Sequence, residues 1–233
     1  MNDLSFRIGL TPSSQCNYLP EQREQLGVVI DQEWLSPQGY QMLIASGYRR
    51  SGKAIYKPMC QQCQACIPLR IDCYLFQPSK SQKRQLKQMK KLRWEFKTEL
   101  DVNWFTLYEK YITARHADGS MYPPNKDHFF EFSTADWMDS LFLHVYEGDQ
   151  LIAIAVTDVF ESALSAVYSF FDPDCTLSLG TLCVLFQIQY CRHTGRRWLY
   201  PGYQINECKA MNYKVRFQPH QKLINGRWHA EEE

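Results

Sequence analysis

The stretch from Leu141 to Pro173, LFLHVYEGDQLIAIAVTDVFESALSAVYSFFDP, limits the choice of fold more than any other part of the chain. Three runs rich in Val, Ile, Leu, Tyr and Phe are separated by polar turns at Glu147-Gly148-Asp149 and Glu161-Ser162. They predict three consecutive antiparallel strands. SLGTLCVLFQIQYCRHTG follows and predicts a helix, with Ser178 as N-cap candidate and Gly195 as C-terminal stop. RWLYPGY then predicts a further strand, and LINGRW at 223–228 a hairpin turn through Asn225-Gly226.

Upstream, residues 1–79 are punctuated by Pro12, Pro20, Pro37, Pro58, Pro68 and Pro78 and by several glycines. PQGYQMLIASG predicts a short helix capped by Ser36, opened by Pro37 and ended by Gly47. LRIDCYLF at 69–76 predicts a strand. Ser79 or Ser81 can cap a helix through the basic run, with Leu86, Met89 and Arg93 on one face. Trp104, Phe105, Tyr108, Tyr111 and Ile112 recur at helical spacing up to His116. The pattern predicts a two-lobed α+β protein: a small cysteine-containing lobe at 1–79, then at 80–233 a basic helix leading into a transferase lobe. A meander followed by a strand-to-helix step opening on SLGT is the order of acyltransferase domains of the GNAT type. There the N–H groups at the helix start face the acyl donor.

Bulk properties narrow the setting. The chain has 233 residues, 45% hydrophobic and 22% charged, as in ordinary globular proteins. MNDLSFRIGL lacks the apolar segment of a secretory signal, and runs such as LIAIAV are too short to span a bilayer. Nine cysteines without an export signal are expected as thiols or ligands in a reducing cytoplasm. A net charge of +1 argues against a generally basic nucleic-acid binder. Yet KSQKRQLKQMKKLR, from Lys80 to Arg93, carries seven basic residues and no acid. A focused patch of this kind favours one polyanionic partner at one place.

Four groups of residues carry candidate chemistry. Arg49, Arg50 and Lys53, in GYRRSGK, gather fixed positive charge beside a turn and suit an anion; Arg70 is a lesser candidate. Cys60, Cys63 and Cys66 have ligand-like spacing, and Cys16 can supply a fourth thiolate for zinc or an iron–sulfur cluster. The alternative is that these thiols pack as small hydrophobes, as Cys73, Cys175, Cys183, Cys191 and Cys208 are expected to do. Lys83, Arg84 and Lys87 lie on a helix whose like charges need a counter-ion, which a phosphate backbone supplies. Ser178, Gly180 and Thr181 open a helix that can bind an anion, and Tyr168, Phe170 and Phe171 precede the acidic turn Asp172-Pro173-Asp174.

These motifs converge on a family. CNYLP at 16–20, GYRRSG and IYKP within 47–58, CIPLRI at 66–71, PSKSQKR at 78–84 and RHADGSMYPP at 115–124 carry a resemblance that continues through AVYSFFDPD, SLGT and YPGYQINECKAMNYKVRFQPHQKLINGRW. The chain resembles the bacterial aspartate/glutamate leucyltransferases, relatives of the eukaryotic arginyl-tRNA–protein transferases. The resemblance implies transfer of leucine from leucyl-tRNA to the N-terminal Asp or Glu of a protein, marking it for degradation. It places the acceptor carboxylate on Arg49, Arg50 and Lys53, and the tRNA on Lys83, Arg84, Lys87, Tyr168, Ser178, Gly180 and Thr181. The reaction is aminolysis of an activated ester, so position, oxyanion stabilisation and proton removal suffice without a cofactor. His116, Asp172 and Tyr203 are the candidates for proton removal. Eukaryotic relatives carry a cysteine cluster linked to iron–sulfur or haem binding; here the paired and adjacent cysteines are replaced by CNYLP and CQAC. The rivals are arginyl-tRNA as donor, a CoA-dependent N-acetyltransferase and a zinc-ribbon nucleic-acid-binding module. LSLGTL is a poor pyrophosphate loop, and a second C-x2-C pair is missing.

Overall fold

The computed structural model describes residues 5–230. Its N-terminal part builds a four-stranded antiparallel sheet in the order β1 (Ile8–Leu10), β4 (Leu26–Val29), β6 (Ala54–Pro58), β5 (Arg49–Ser51). A two-residue ladder, β2 (Ser14–Gln15) with β3 (Arg23–Glu24), closes the intervening loop. Helix α1 (Pro37–Ala45) forms as the sequence predicts: the Ser36 hydroxyl accepts from the Gly39 N–H at 3.1 Å and Pro37 occupies the first turn. Gly47, at φ 90°, then turns the chain into β5, a conformation that costs glycine little.

The second sheet has eight strands in the order β14 (Arg227–Ala230), β13 (His220–Ile224), β7 (Ile67–Asp72), β12 (Trp198–Gln204), β11 (Ala163–Phe171), β10 (Gln150–Val159), β9 (Ser140–Glu147), β8 (Leu92–Lys97). The three-strand meander appears as β9–β10–β11, and β13–β14 turn through Asn225-Gly226, both at positive φ. β7 lies inside this sheet, so the boundary expected at residue 79 does not separate two lobes. The physical reason is that Leu69 and Ile71, with 1% and 0% exposure on one face of β7, need the cover that a central place between β12 and β13 provides.

Alternate residues of the strands feed two cores. Leu143, Val145, Ala153, Ala155 and Leu164 pack under α5 (Leu179–His193), with α2 (Lys80–Met89) beside it. Phe142, Ile154, Val156 and Phe170 pack on the opposite face against α3 (Trp104–Arg115) and α4 (Lys126–Ser133). Near the start of β11 and β12, Ala163 and Tyr200 meet Tyr40, Leu43 and Ile44 of α1. Helix α2 opens on a capping box in which Ser79 and Gln82 exchange bonds. It stops at Met89, so Arg93 lies in strand β8 and not on a helix face with Leu86 and Met89. Leu92, Trp94 and Phe96 alternate, and that period of two puts them on the sheet. A short helix α6 (Lys209–Asn212) and a 3-10 turn (Tyr213–Arg216) follow β12.

Candidate active site at a strand fork

All neighbouring strands of the large sheet are antiparallel except β11 and β12, which α5 connects. Their parallel pairing covers Ala163↔Trp198, Leu164↔Leu199 and Ser165↔Tyr200 and then ends. β11 runs on to Phe171 and β12 to Gln204 without each other. At the vertex of this fork sits Arg49, brought there by β5. Its Nη1 donates to the Tyr200 carbonyl at 3.0 Å and its Nη2 to the Ala166 carbonyl. One rigid, planar guanidinium thus bridges the strands where the ladder stops.

The mouth of the fork collects residues that sequence reasoning assigned to the donor. Ser178 occupies the N-cap position of α5 but makes no capping bond, so the first-turn N–H groups keep the capacity to bind an anion. A Cβ on Gly180 would stand 3.4 Å from the Phe171 ring, so the helix start lies directly beside that aromatic. Thr181 follows in the same turn. Tyr111 packs on Phe171 with centroids 4.9 Å apart, and its hydroxyl lies 3.4 Å from His116 Nε2. Tyr168 faces Phe132 edge-on at 5.1 Å and reaches Met121 Sδ at 3.7 Å. Burial, followed by the Arg115 charge, pushes His116 below its ordinary value, which keeps it neutral.

Two of the three proton-removal candidates are unsuited to that role. Tyr203 donates its hydroxyl to the Gly47 carbonyl at 2.8 Å, and burial drives its pKa far above neutrality. At Asp172, burial acts to raise the pKa, but the Lys110 ammonium at 2.6 Å and the Asp174 N–H outweigh it and hold the carboxyl below the ordinary range. A carboxylate so held is a weak base.

Sequence reasoning missed Lys214. Its Nζ lies 2.6 Å from the Tyr203 carbonyl and 3.4 Å from Met211 Sδ, and the residue is 7% exposed. Burial, then the Arg49 charge, push the ammonium down to about 7, against the Cys208 and Cys66 thiols. Gly202, at φ 100°, presents bare backbone to both side chains: a Cβ there would be 3.4 Å from Lys214 Nζ and 3.9 Å from Arg49 Nη2. The available signal was YPGY, a glycine inside a strand pattern, which marks a close approach.

The expected acceptor trio does not form an open pocket. Arg50 is enclosed: Nε donates to Asp158 Oδ2 at 2.8 Å, and Nη2 to Asp158 Oδ1, Ser140 Oγ and the Ser133 carbonyl. Both side chains of the pair are fully buried, so Arg50 is committed to the fold and the assignment of an acceptor carboxylate to it is corrected. The turn carrying it docks on α4, where the Gly52 N–H donates to the Phe132 carbonyl at 2.6 Å. Lys53 pairs with Asp136 in the open, both about two-thirds exposed. Arg70 lies between Trp198 and Trp228, at 3.9 and 4.4 Å.

Cys16, Cys60, Cys63 and Cys66 line one cavity of about 730 Å³ between the small sheet and the β12–β13 end of the large one. Burial and then the neighbouring thiols raise Cys66 to about 12. The donor set suits zinc or an iron–sulfur cluster in kind. Among the described residues, however, no three or more His, Cys, Asp or Glu side chains converge as a metal site. Cys73, Cys183 and Cys191 are buried as expected, whereas Cys175 and Cys208 are only part-buried. On α2, Lys83, Arg84 and Lys87 are exposed, and no acid among the described residues pairs with them. No helix among the described residues is long and apolar enough to cross a membrane.

Comparison with known proteins bears on what this fork does. Residues 14–84 match the N-terminal model of arginine-tRNA-protein transferase and residues 103–224 the C-terminal model. The chain is 55% identical over 224 residues to an aspartate/glutamate leucyltransferase of Vibrio parahaemolyticus serotype O3:K6, covering 96% of each chain. Identity is 54% to the protein of that name in Vibrio cholerae serotype O1, with the same coverage. It is 45% to that in Aeromonas hydrophila, covering 97% of this chain and 95% of the relative. Among solved structures, L-PGS from Bacillus licheniformis gives a TM-score of 0.48 at 8% identity, over 72% of this chain and 51% of that one.

Proposed function

Because the chain belongs to the arginine-tRNA–protein transferase family, on its aspartate/glutamate leucyltransferase branch, we propose that it transfers leucine from leucyl-tRNA to the N-terminal Asp or Glu of acceptor proteins. The new peptide bond presents an N-terminal leucine and marks the acceptor for degradation. The observation that carries the reading beyond family membership is the fork between β11 and β12, with the uncapped start of α5 and the Tyr111, Tyr168 and Phe171 aromatics at its mouth. That arrangement is GNAT-like, with the 3′ end of the tRNA in place of an acyl carrier.

The donor's terminal phosphate meets the first-turn N–H groups of Ser178, Gly180 and Thr181. Its adenine stacks on Tyr168 or Phe171, and the ester points along the fork toward Arg49. The tRNA body follows the exposed cations Lys83, Arg84 and Lys87 on α2. The acceptor α-amine attacks the ester carbonyl, the carbonyl oxygen gains negative charge near Arg49, and the 3′ oxygen leaves. The ester is activated from the start, and no step is routed through the cysteine cavity.

Purified protein is to be tested with leucyl-tRNA, arginyl-tRNA and acetyl-CoA as donors, and with peptides beginning with Asp, Glu, Lys or Ala. Leucine incorporation confined to the Asp and Glu peptides is the expected result. Transfer from arginyl-tRNA alone would move the protein to the arginine branch, and acetyl transfer alone would overturn the tRNA reading.

A further inference from the structure

The Lys214 amine occupies a place with little structural purpose for a charge. It lies beside the fork, with a guanidinium as its charged neighbour and no carboxylate bonded to it among the described residues. Its bonding inventory is that of a neutral amine. Two acceptors face Nζ, the Tyr203 carbonyl and Met211 Sδ. A neutral amine satisfies both with its two N–H donors and retains one lone pair; an ammonium would carry a third N–H with no bond to fill it. Gly202 leaves the side of Nζ next to Arg49 free of a side chain, since a Cβ there would stand within van der Waals contact of both groups.

We propose that Lys214 is the catalytic base of the transfer, taking the proton from the attacking α-amine and delivering it to the departing 3′ oxygen. The inference rests on the transferase reading above. The balance closes without a co-reactant: a C–N bond forms, the ester C–O bond breaks, and one proton passes from nitrogen through Nζ to oxygen. The groups that set the proton affinity of Nζ are Arg49 from β5, which lowers it, and the thiols of Cys66 and Cys208, which oppose this, while burial dominates. Arg49 holds the oxyanion while Lys214 moves the proton.

Single-turnover transfer of leucine from leucyl-tRNA to an Asp-starting peptide is measured for the wild type, Lys214→Met, Lys214→Arg and Lys214→Ala. Met keeps the apolar stem and removes the buried amine, so it is expected to fold at least as well, which a thermal melt checks. Met and Arg are each expected to lose at least about 100-fold in rate, the usual contribution of general-base catalysis, with the KM for the tRNA within about threefold. The acceptor α-amine itself titrates near 7.7–8.0, so a wild-type pH profile alone does not identify the base. The Ala variant is therefore assayed with added small primary amines, and the rescued rate is expected to follow the basicity of the amine. Lys214→Arg within about threefold of wild type, or Lys214→Ala that no amine rescues, overturns the assignment. A wild type that transfers leucine while Lys214→Met matches it removes only Lys214. A wild type inactive with every aminoacyl-tRNA removes the reaction and the base together.

Discussion

Replacing Arg50 tests how an arginine in a functional-looking motif is used. Its guanidinium and the Asp158 carboxylate are fully buried against each other, and Ser140, Ser133 and Gly52 complete the cage. Removing one partner of such a pair leaves an uncompensated buried charge and costs about 3–5 kcal/mol. For a chain of this size 1 kcal/mol moves Tm by about 2–4 °C, so Arg50→Ala should lower Tm by roughly 6–20 °C. Asp158→Asn should do the same from the other side. Replacing both by apolar residues of matching volume should recover most of the loss, because two buried charges disappear together. Thermal melts followed by circular dichroism read all of these, with transfer activity measured well below each Tm. An Arg50→Ala protein with an unchanged melt but no transfer to Asp and Glu peptides would refute the reasoning and restore Arg50 as an acceptor ligand.

Other perturbations separate the remaining roles. Lys83, Arg84 and Lys87 changed together to Gln should weaken leucyl-tRNA binding and flatten its salt dependence by about one unit of log–log slope for each phosphate that no longer meets a cation, read by binding titrations at several salt concentrations. Tyr168→Ala should weaken tRNA binding by about 1–3 kcal/mol if the ring stacks on adenine, and Tyr168→Phe should not; equal losses would place the effect on the hydroxyl. Chelation before assay should leave the transfer rate unchanged, since the ester is already activated, and a chelator-sensitive rate would show that the cysteine cavity supports catalysis through a bound ion. His144 is buried in β9 with no bond to Nε2, and burial, outweighing the Asp101 charge that acts to raise it, lowers its pKa. The unfolded chain therefore binds the proton more tightly, so this stability is present above the unfolded value near 6.5 and is lost as pH falls below it. Tm should drop between pH 7.5 and 5.5, and by less in His144→Gln.

How much of this was legible in the sequence depends on how local the cause was. The meander, the helix from Leu179 and the hairpin at Asn225-Gly226 rest on short-range patterning, and all three are present. The strand at 92–97 goes unread in the sequence because its first two residues, Leu92 and Arg93, close the basic run that begins at Lys80 and hide the alternation of Leu92, Trp94 and Phe96. The domain boundary failed for a non-local reason. Nothing in LRIDCYLF says that its partners are β12 and β13, which come far later in the chain.

The site divides along the same line. His116 and the SLGT turn come to one end of the fork, linked through Tyr111 and Phe171, because each sits at the end of its own helix where capping signals are legible, while Tyr168 lies within β11. Arg50 reads as an acceptor ligand because a charge run shows how much charge there is but not what faces it. Asp158 lies 108 positions from Arg50, in the second strand of the meander, and only the sheet brings them together. Lys214 escaped notice for the converse reason. In KAMNYKVRF it is one basic residue among several, and it becomes unusual only when α6 and the following turn press it against Tyr203 and Arg49. A lysine's chemistry is set by what surrounds Nζ. Here that surrounding joins β5 to β12, with Arg49 and Tyr200 151 positions apart, so the fork had to be foreseen before the base could be seen.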